Sequence, residues 1–67
     1  MTKFKEFYDE VPNKHVQPFR NRVIEEAKVS SATFNNWQNG DWEPKPDYWK
    51  AINDVCEEFG YPRLYTV

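Results

Sequence analysis

Proline and glycine divide this chain into short segments and thereby limit it to short helices. Five prolines and two glycines occur in 67 residues, and the segments between them carry apolar residues at the three- and four-residue spacing of an amphipathic helix. The spacing predicts helices over about residues 2–10, 16–27, 30–39 and 46–59, followed by an extended tail over residues 61–67. We therefore expect an all-α, four-helix fold for residues 1–67, a single domain.

Individual residues mark where these helices begin and end. Pro18 suits the first turn of the second helix, because a missing amide hydrogen is tolerated there. Ser30 or Ser31 is expected to cap the third helix through its hydroxyl, and Gly40 is expected to end it. Two prolines between residues 44 and 46 require a loop before the fourth helix, which Gly60 closes.

The composition excludes several classes of protein. A chain of this size buries only about 60% of the surface that its unfolded form exposes, and its twelve aromatic residues are the expected compensation. One cysteine, Cys56, and one histidine, His15, can form neither an intramolecular disulfide nor a four-ligand zinc site. Cys56 is expected to be buried on the last helix, and His15 to be a surface or capping residue between two helices. No run of about twenty apolar residues occurs, so we expect a cytoplasmic protein with no membrane contact.

The acidic residues are concentrated in the C-terminal third. The formal net charge of the chain is −2, which gives no global attraction to nucleic acid. Residues 1–15 are balanced, residues 16–40 have an excess of one cation, and residues 41–67 carry six carboxylates against three cations.

The predicted third helix has one outward face that is polar and uncharged. Helical spacing groups its side chains on that face as Ser31, Asn35 and Gln38, with Ala32, Asn36 and Asn39 one residue on. Residues 29–40 contain no carboxylate, so this face would not repel phosphate. Asparagine is a poor helix former, and its carboxamide can pair with adenine in the major groove. A solvated helix face with no ligand is the alternative interpretation.

Two adjacent helices with a tight turn at residues 28–30 also have apolar residues where a helix-turn-helix needs them. These are Val23, Ala27, Val29, Phe34 and Trp37. Residues 33–40 read Thr-Phe-Asn-Asn-Trp-Gln-Asn-Gly and are followed by Pro44, Pro46 and another amphipathic helix. Over about residues 16–60 the chain resembles the lambda-repressor-like (Cro/C1, XRE-type) helix-turn-helix family.

The resemblance implies a motif at about residues 16–40 whose second helix enters the major groove. It implies base-edge contacts from Ser31, Ala32, Asn35 and Asn36, and DNA-backbone contacts from Arg20, Ser30, Thr33, Gln38 and Asn39. On charge grounds we add Arg22 and Lys28 as candidates for phosphate contacts. Members of the family commonly bind as homodimers, and no metal, cofactor, small-molecule substrate or catalytic residue is implied.

The chain departs from the family pattern at three points. Lys28 stands where the turn usually has glycine, so either Lys28 adopts the left-handed conformation or the turn differs. Ile24 stands where a small residue such as alanine is common, and the C-terminal third is acidic. Weak or dimer-dependent DNA binding would follow from that acidity.

We therefore expect a sequence-specific double-stranded DNA-binding protein that regulates transcription in a prokaryote or phage. No spacing suggests a catalytic triad, and four short helices leave scant room for a substrate pocket, so an enzyme is not expected. The alternative is a protein-interaction module on the same fold that uses Trp42 and the tail. Trp42 could pack on the last helix, contact DNA or anchor a partner. The tail could contact a second copy or lie in a groove of its own chain.

Overall fold

The computed structural model describes residues 2–66. Within them it has four α-helices and no strand. The helices are α1 (Lys3–Asp9), α2 (Asn13–Ala27), α3 (Ser31–Asn39) and α4 (Pro46–Glu58). The all-α, four-helix expectation is confirmed. Between residues 2 and 66, no helix has the length and apolar character that crossing a membrane requires.

The predicted start of α2 at about residue 16 was wrong by one turn. Pro12 has a φ of −56° and a ψ of 141°, immediately before the helix, and its carbonyl accepts the amide hydrogen of His15 at 2.8 Å. Pro18 consequently lies inside the helix rather than in its first turn. The interruption is tolerated because the carbonyl left without a donor belongs to Lys14, which is exposed to water.

The end of α2 and both ends of α3 lie at the residues that the sequence marks for them. The Ser30 hydroxyl accepts the amide hydrogen of Thr33 at 3.2 Å, as expected of an N-cap. Lys28 ends α2 in the left-handed conformation, with φ 57° and ψ 45°, so the first of the two alternatives for this turn is the observed one. Gly40 ends α3 with φ 83°, and a Cβ there would lie 2.7 Å from Cδ of Lys5. A side chain at position 40 would therefore be strained and crowded.

Aromatic rings build most of the core. The Phe4 ring meets the Phe34 ring edge-on, with centroids 5.6 Å apart, and the Phe19 ring meets the Phe59 ring in the same way at 5.5 Å. Such pairs contribute about 0.5–1.5 kcal/mol each beyond burial of area. Cys56 is fully buried, as expected, and burial raises the pKa of its thiol to about 11. Among the helix-turn-helix packing residues, Val23, Phe34 and Trp37 are buried, and Ala27 and Val29 are partly buried.

The tail lies in a groove of its own chain. Tyr65 is only 5% exposed, and its ring stacks on Trp49 with centroids 4.8 Å apart. Asn53 accepts the Tyr65 amide hydrogen at 3.0 Å and donates to the Tyr65 carbonyl at 2.8 Å. Of the two expectations for the tail, docking within the protomer is observed at Tyr65 and in part at Tyr61 and Leu64, whereas Pro62, Arg63 and Thr66 are exposed. Val67 lies outside the described residues.

His15 is not a residue between two helices. It lies in the first turn of α2, where its Nδ1 is 2.6 Å from the Tyr61 hydroxyl and its ring meets the Phe59 ring at 5.7 Å. The expectation failed because α2 starts earlier than predicted. His15 therefore helps to hold the start of the tail against α2.

Candidate nucleic-acid interface

Burial of two aromatic residues fixes which face of α3 is turned outward. Phe34 is fully buried and Trp37 is 3% exposed, so the opposite face of the helix is turned to solvent. The exposed residues on α3 are Ser31, Ala32, Asn35 and Asn39, and the half-buried ones are Thr33, Asn36 and Gln38. All four residues that the resemblance assigns to base edges are thus on one short helix, and three of them are exposed.

Arg20 of α2 lies beside this face. Its Nη2 donates to Oδ1 of Asn35 at 3.2 Å, and its guanidinium carbon lies 5.4 Å from the centre of the Phe34 ring. The cation–π contact and the hydrogen bond together hold the cation against α3. The structure thus brings the guanidinium of Arg20 and the carboxamide of Asn35 together at the exposed edge of α3.

Arg22 is engaged elsewhere. Its guanidinium donates two hydrogen bonds to Glu58 of α4, at 2.8 and 2.9 Å, and also contacts Glu25 and Glu26 of α2. These carboxylates raise the pKa of Arg22 above its ordinary value, chiefly through the hydrogen bond with Glu58. Arg22 is therefore held toward α4 and neutralised locally, and it is not grouped with Arg20.

The other residues predicted to contact the DNA backbone differ in whether their side chains are already engaged within the protein. The Ser30 hydroxyl caps α3 and lies 3.2 Å from the Thr33 hydroxyl, so both groups are occupied by a local contact. Lys28 is exposed in the turn that precedes α3. Gln38 and Asn39 lie in the last turn of α3, just before the left-handed Gly40.

Sequence reasoning missed the role of Glu43 in the loop that follows α3. Its Oε1 accepts the Lys3 amide hydrogen at 2.8 Å, and its Oε2 accepts the Phe4 amide hydrogen at 3.0 Å. The Tyr65 hydroxyl also donates to Oε2. Partial burial alone would raise the pKa of Glu43, but these hydrogen bonds outweigh it and hold the pKa below its ordinary value. A lone acidic residue in a loop carries no sequence signal for such contacts.

Glu43 thereby connects the loop after α3 to the start of α1 and to the tail. A carboxylate on the free amides of a helix N-terminus is favourable both as a cap and for the helix dipole. The hydrogen bond to Glu43 and burial also raise the pKa of the Tyr65 hydroxyl, burial being the larger cause. The loop next to the outward face of α3 is thus fixed in place by contacts distant in sequence.

Trp42 is the one large apolar side chain of residues 2–66 that stands exposed, with 62% of its surface accessible. Of the three expectations for Trp42, packing on α4 is therefore not observed. Nowhere in the described range do three or more His, Cys, Asp or Glu side chains cluster in a way that could hold a metal ion. The chain matches no protein-family model, no curated protein and no solved structure.

Proposed function

We propose that this protein is a small cytoplasmic, sequence-specific double-stranded DNA-binding protein that regulates transcription and reads the major groove with α3. The observation that carries the proposal is the outward face of α3, which is exposed, rich in carboxamides and hydroxyls, free of carboxylates and bordered by Arg20. In this proposal α2 and α3 are the two helices of a helix-turn-helix, joined by the three residues 28–30.

The proposed roles rest on residue type and place on α3, where Asn35 is exposed and Asn36 is half-buried. Asn35 and Asn36 would pair with base edges, since a carboxamide can form two hydrogen bonds with adenine. Arg20 would contact a phosphate beside them, because it is a cation already held at the edge of α3. The formal net charge of −2 makes non-specific attraction small, so specific contacts would supply a large share of the affinity.

The size of the protomer limits one copy to a single half-site of a palindromic operator. Its largest dimension is 25 Å, whereas half-sites in successive major grooves are about 34 Å apart. One copy therefore reaches one half-site, and two copies would be needed to read a palindromic operator.

Selection of duplexes from a random-sequence library, followed by fluorescence anisotropy on the enriched sequence, tests sequence-specific binding. N35A/N36A should remove the preference for the enriched duplex over a scrambled one, a loss of at least about tenfold in specificity. Q17A/N21A, which removes two carboxamides from an exposed face of α2, should keep that preference. The melting temperature of N35A/N36A should be unchanged or raised, because alanine is the better helix former.

Salt dependence tests the phosphate contact separately. Binding should weaken steeply as salt rises, and R20A should flatten that dependence by about one unit in the slope of log affinity against log salt. K50A removes one positive charge from α4, where Lys50 pairs with Asp54, and should leave the slope unchanged. Failure to enrich any sequence, at low as well as physiological salt, would refute the proposal.

The alternative, a protein-interaction module, is favoured by one observation, the exposure of Trp42. The tail no longer supports it, since Tyr65 is bound within its own chain. An interaction module predicts association that salt affects little, through an apolar surface centred on Trp42.

A further inference from the structure

Arg20 reaches from α2 to the outward face of α3 without an acidic partner. No ion pair within residues 2–66 involves it, whereas Arg22 on the same helix is held by Glu58. The guanidinium carbon of Arg20 lies 5.4 Å from the centre of the buried Phe34 ring, and its Nη2 donates to Oδ1 of Asn35 at 3.2 Å. Arg20 is therefore held against α3 at two points, and no carboxylate neutralises its charge.

The contact with Arg20 determines which end of the Asn35 carboxamide remains available. A guanidinium has five N–H donors and no acceptor, so only the carboxamide oxygen can face it. Asn35 is exposed, and its amino group, Nδ2, donates to no other residue in the described range. Arg20 thus occupies the oxygen of Asn35 and leaves the two N–H groups of Nδ2 for a ligand.

Adenine and guanine differ in what they offer to such an amino group. In the major groove adenine presents one acceptor, N7, and one donor, the N6 amino group, so a carboxamide pairs with it through both its oxygen and its amino group. Guanine presents two acceptors, N7 and O6. If Arg20 holds the oxygen of Asn35, the N6 amino group of adenine loses its acceptor, and an unpaired buried donor costs affinity. The free N–H groups of Asn35 match guanine instead.

We propose that Arg20 is a positioning residue for Asn35, and that it makes Asn35 read guanine rather than adenine. This inference rests on the DNA-binding function proposed above. The N–H groups of Arg20 that Asn35 does not use remain for the phosphate contact. Asn36 has no such partner for its carboxamide within residues 2–66, so it keeps both its oxygen and its amino group for adenine.

The duplex enriched in the selection described above identifies the position that Asn35 reads, because N35A should lose discrimination between bases there. That position should hold guanine, and the wild-type protein should bind the enriched duplex at least about fivefold more tightly than a duplex with adenine at the same position. R20M keeps an apolar stem for Phe34 but has no donor, so this ratio of affinities should fall at least about fivefold. R20K, which keeps a donor and the charge, should retain the preference for guanine.

The ratio of affinities separates positioning from the phosphate contact. Loss of a phosphate contact weakens binding to both duplexes alike. Any unfolded fraction of R20M also cancels, because both affinities are measured on the same protein. In an N35A background, R20M should leave the ratio unchanged. K14M removes an exposed cation from the first turn of α2 and should keep the wild-type ratio.

The outcomes distinguish this inference from the function on which it rests. Adenine at the position that N35A relaxes, a wild-type ratio in R20M, loss of the preference in R20K, or an equal fall of the ratio when R20M is made in the N35A background would each overturn the role of Arg20 and leave DNA binding in place. Failure to enrich any sequence would refute the proposed DNA binding, and this inference with it.

Discussion

At the scale of single residues, Lys28 carries the clearest conformational strain. It is the one non-glycine residue of the described range with positive φ, and the left-handed conformation costs a residue with a Cβ about 1 kcal/mol relative to glycine. The turn tolerates lysine because the geometry of the α2 end is fixed by packing on both sides, with Val23 buried before it and Phe34 after it.

K28G should therefore stabilise the protein. We expect a gain of about 1 kcal/mol in the free energy of unfolding, which corresponds to roughly 4–8 °C in melting temperature for a domain of this size. Thermal unfolding followed by circular dichroism measures it. K28A is the matched control, because it removes the same charge but keeps a Cβ. If K28A gained as much as K28G, the strain argument would be wrong.

At the scale of elements, the tail is attached to α4 through Asn53. This side chain is 4% exposed and forms hydrogen bonds with both the amide and the carbonyl of Tyr65. It thus pairs with one residue of the tail as the backbone of a neighbouring β-strand would. N53A should leave a buried amide and a buried carbonyl unpaired and cost about 2 kcal/mol. N21A, on an exposed face of α2, should change stability by less than about 0.5 kcal/mol. Urea unfolding measures both, and similar values for the two would contradict the assigned role of Asn53.

The elements were predictable where the cause is local. The periodicity of apolar residues and the caps at Ser30 and Gly40 predicted α3 to within a residue. The start of α2 was not predictable, because Pro18 suggested a first turn and the actual first turn lies at Pro12. The exposed carboxamide face was predicted from spacing alone. The partners of Glu43, Asn53 and His15 were not, since each bond joins residues from 12 to 46 positions apart.

At the scale of the whole molecule, Glu43 makes folding sensitive to acid. Its pKa is lowered in the folded state, so it contributes stability above its unfolded pKa of about 4.5, and that stability is lost as pH falls through the folded value. The hydrogen bond with Arg22 also lowers the pKa of Glu58, so Glu58 loses its contribution to stability in acid as well. The melting temperature should therefore be constant near neutral pH and fall below about pH 4.5.

E43Q separates the contribution of this one carboxylate from general acid denaturation. At neutral pH the variant should be less stable by about 1 kcal/mol, a modest value because the side chain is partly exposed to water. As pH falls through the window below about 4.5, the wild-type protein should lose this advantage and the two melting curves should converge. E10Q, at the end of α1, should follow the wild-type protein throughout. Parallel curves for E43Q and the wild type would mean that ionised Glu43 does not join the start of α1, the loop after α3 and the tail.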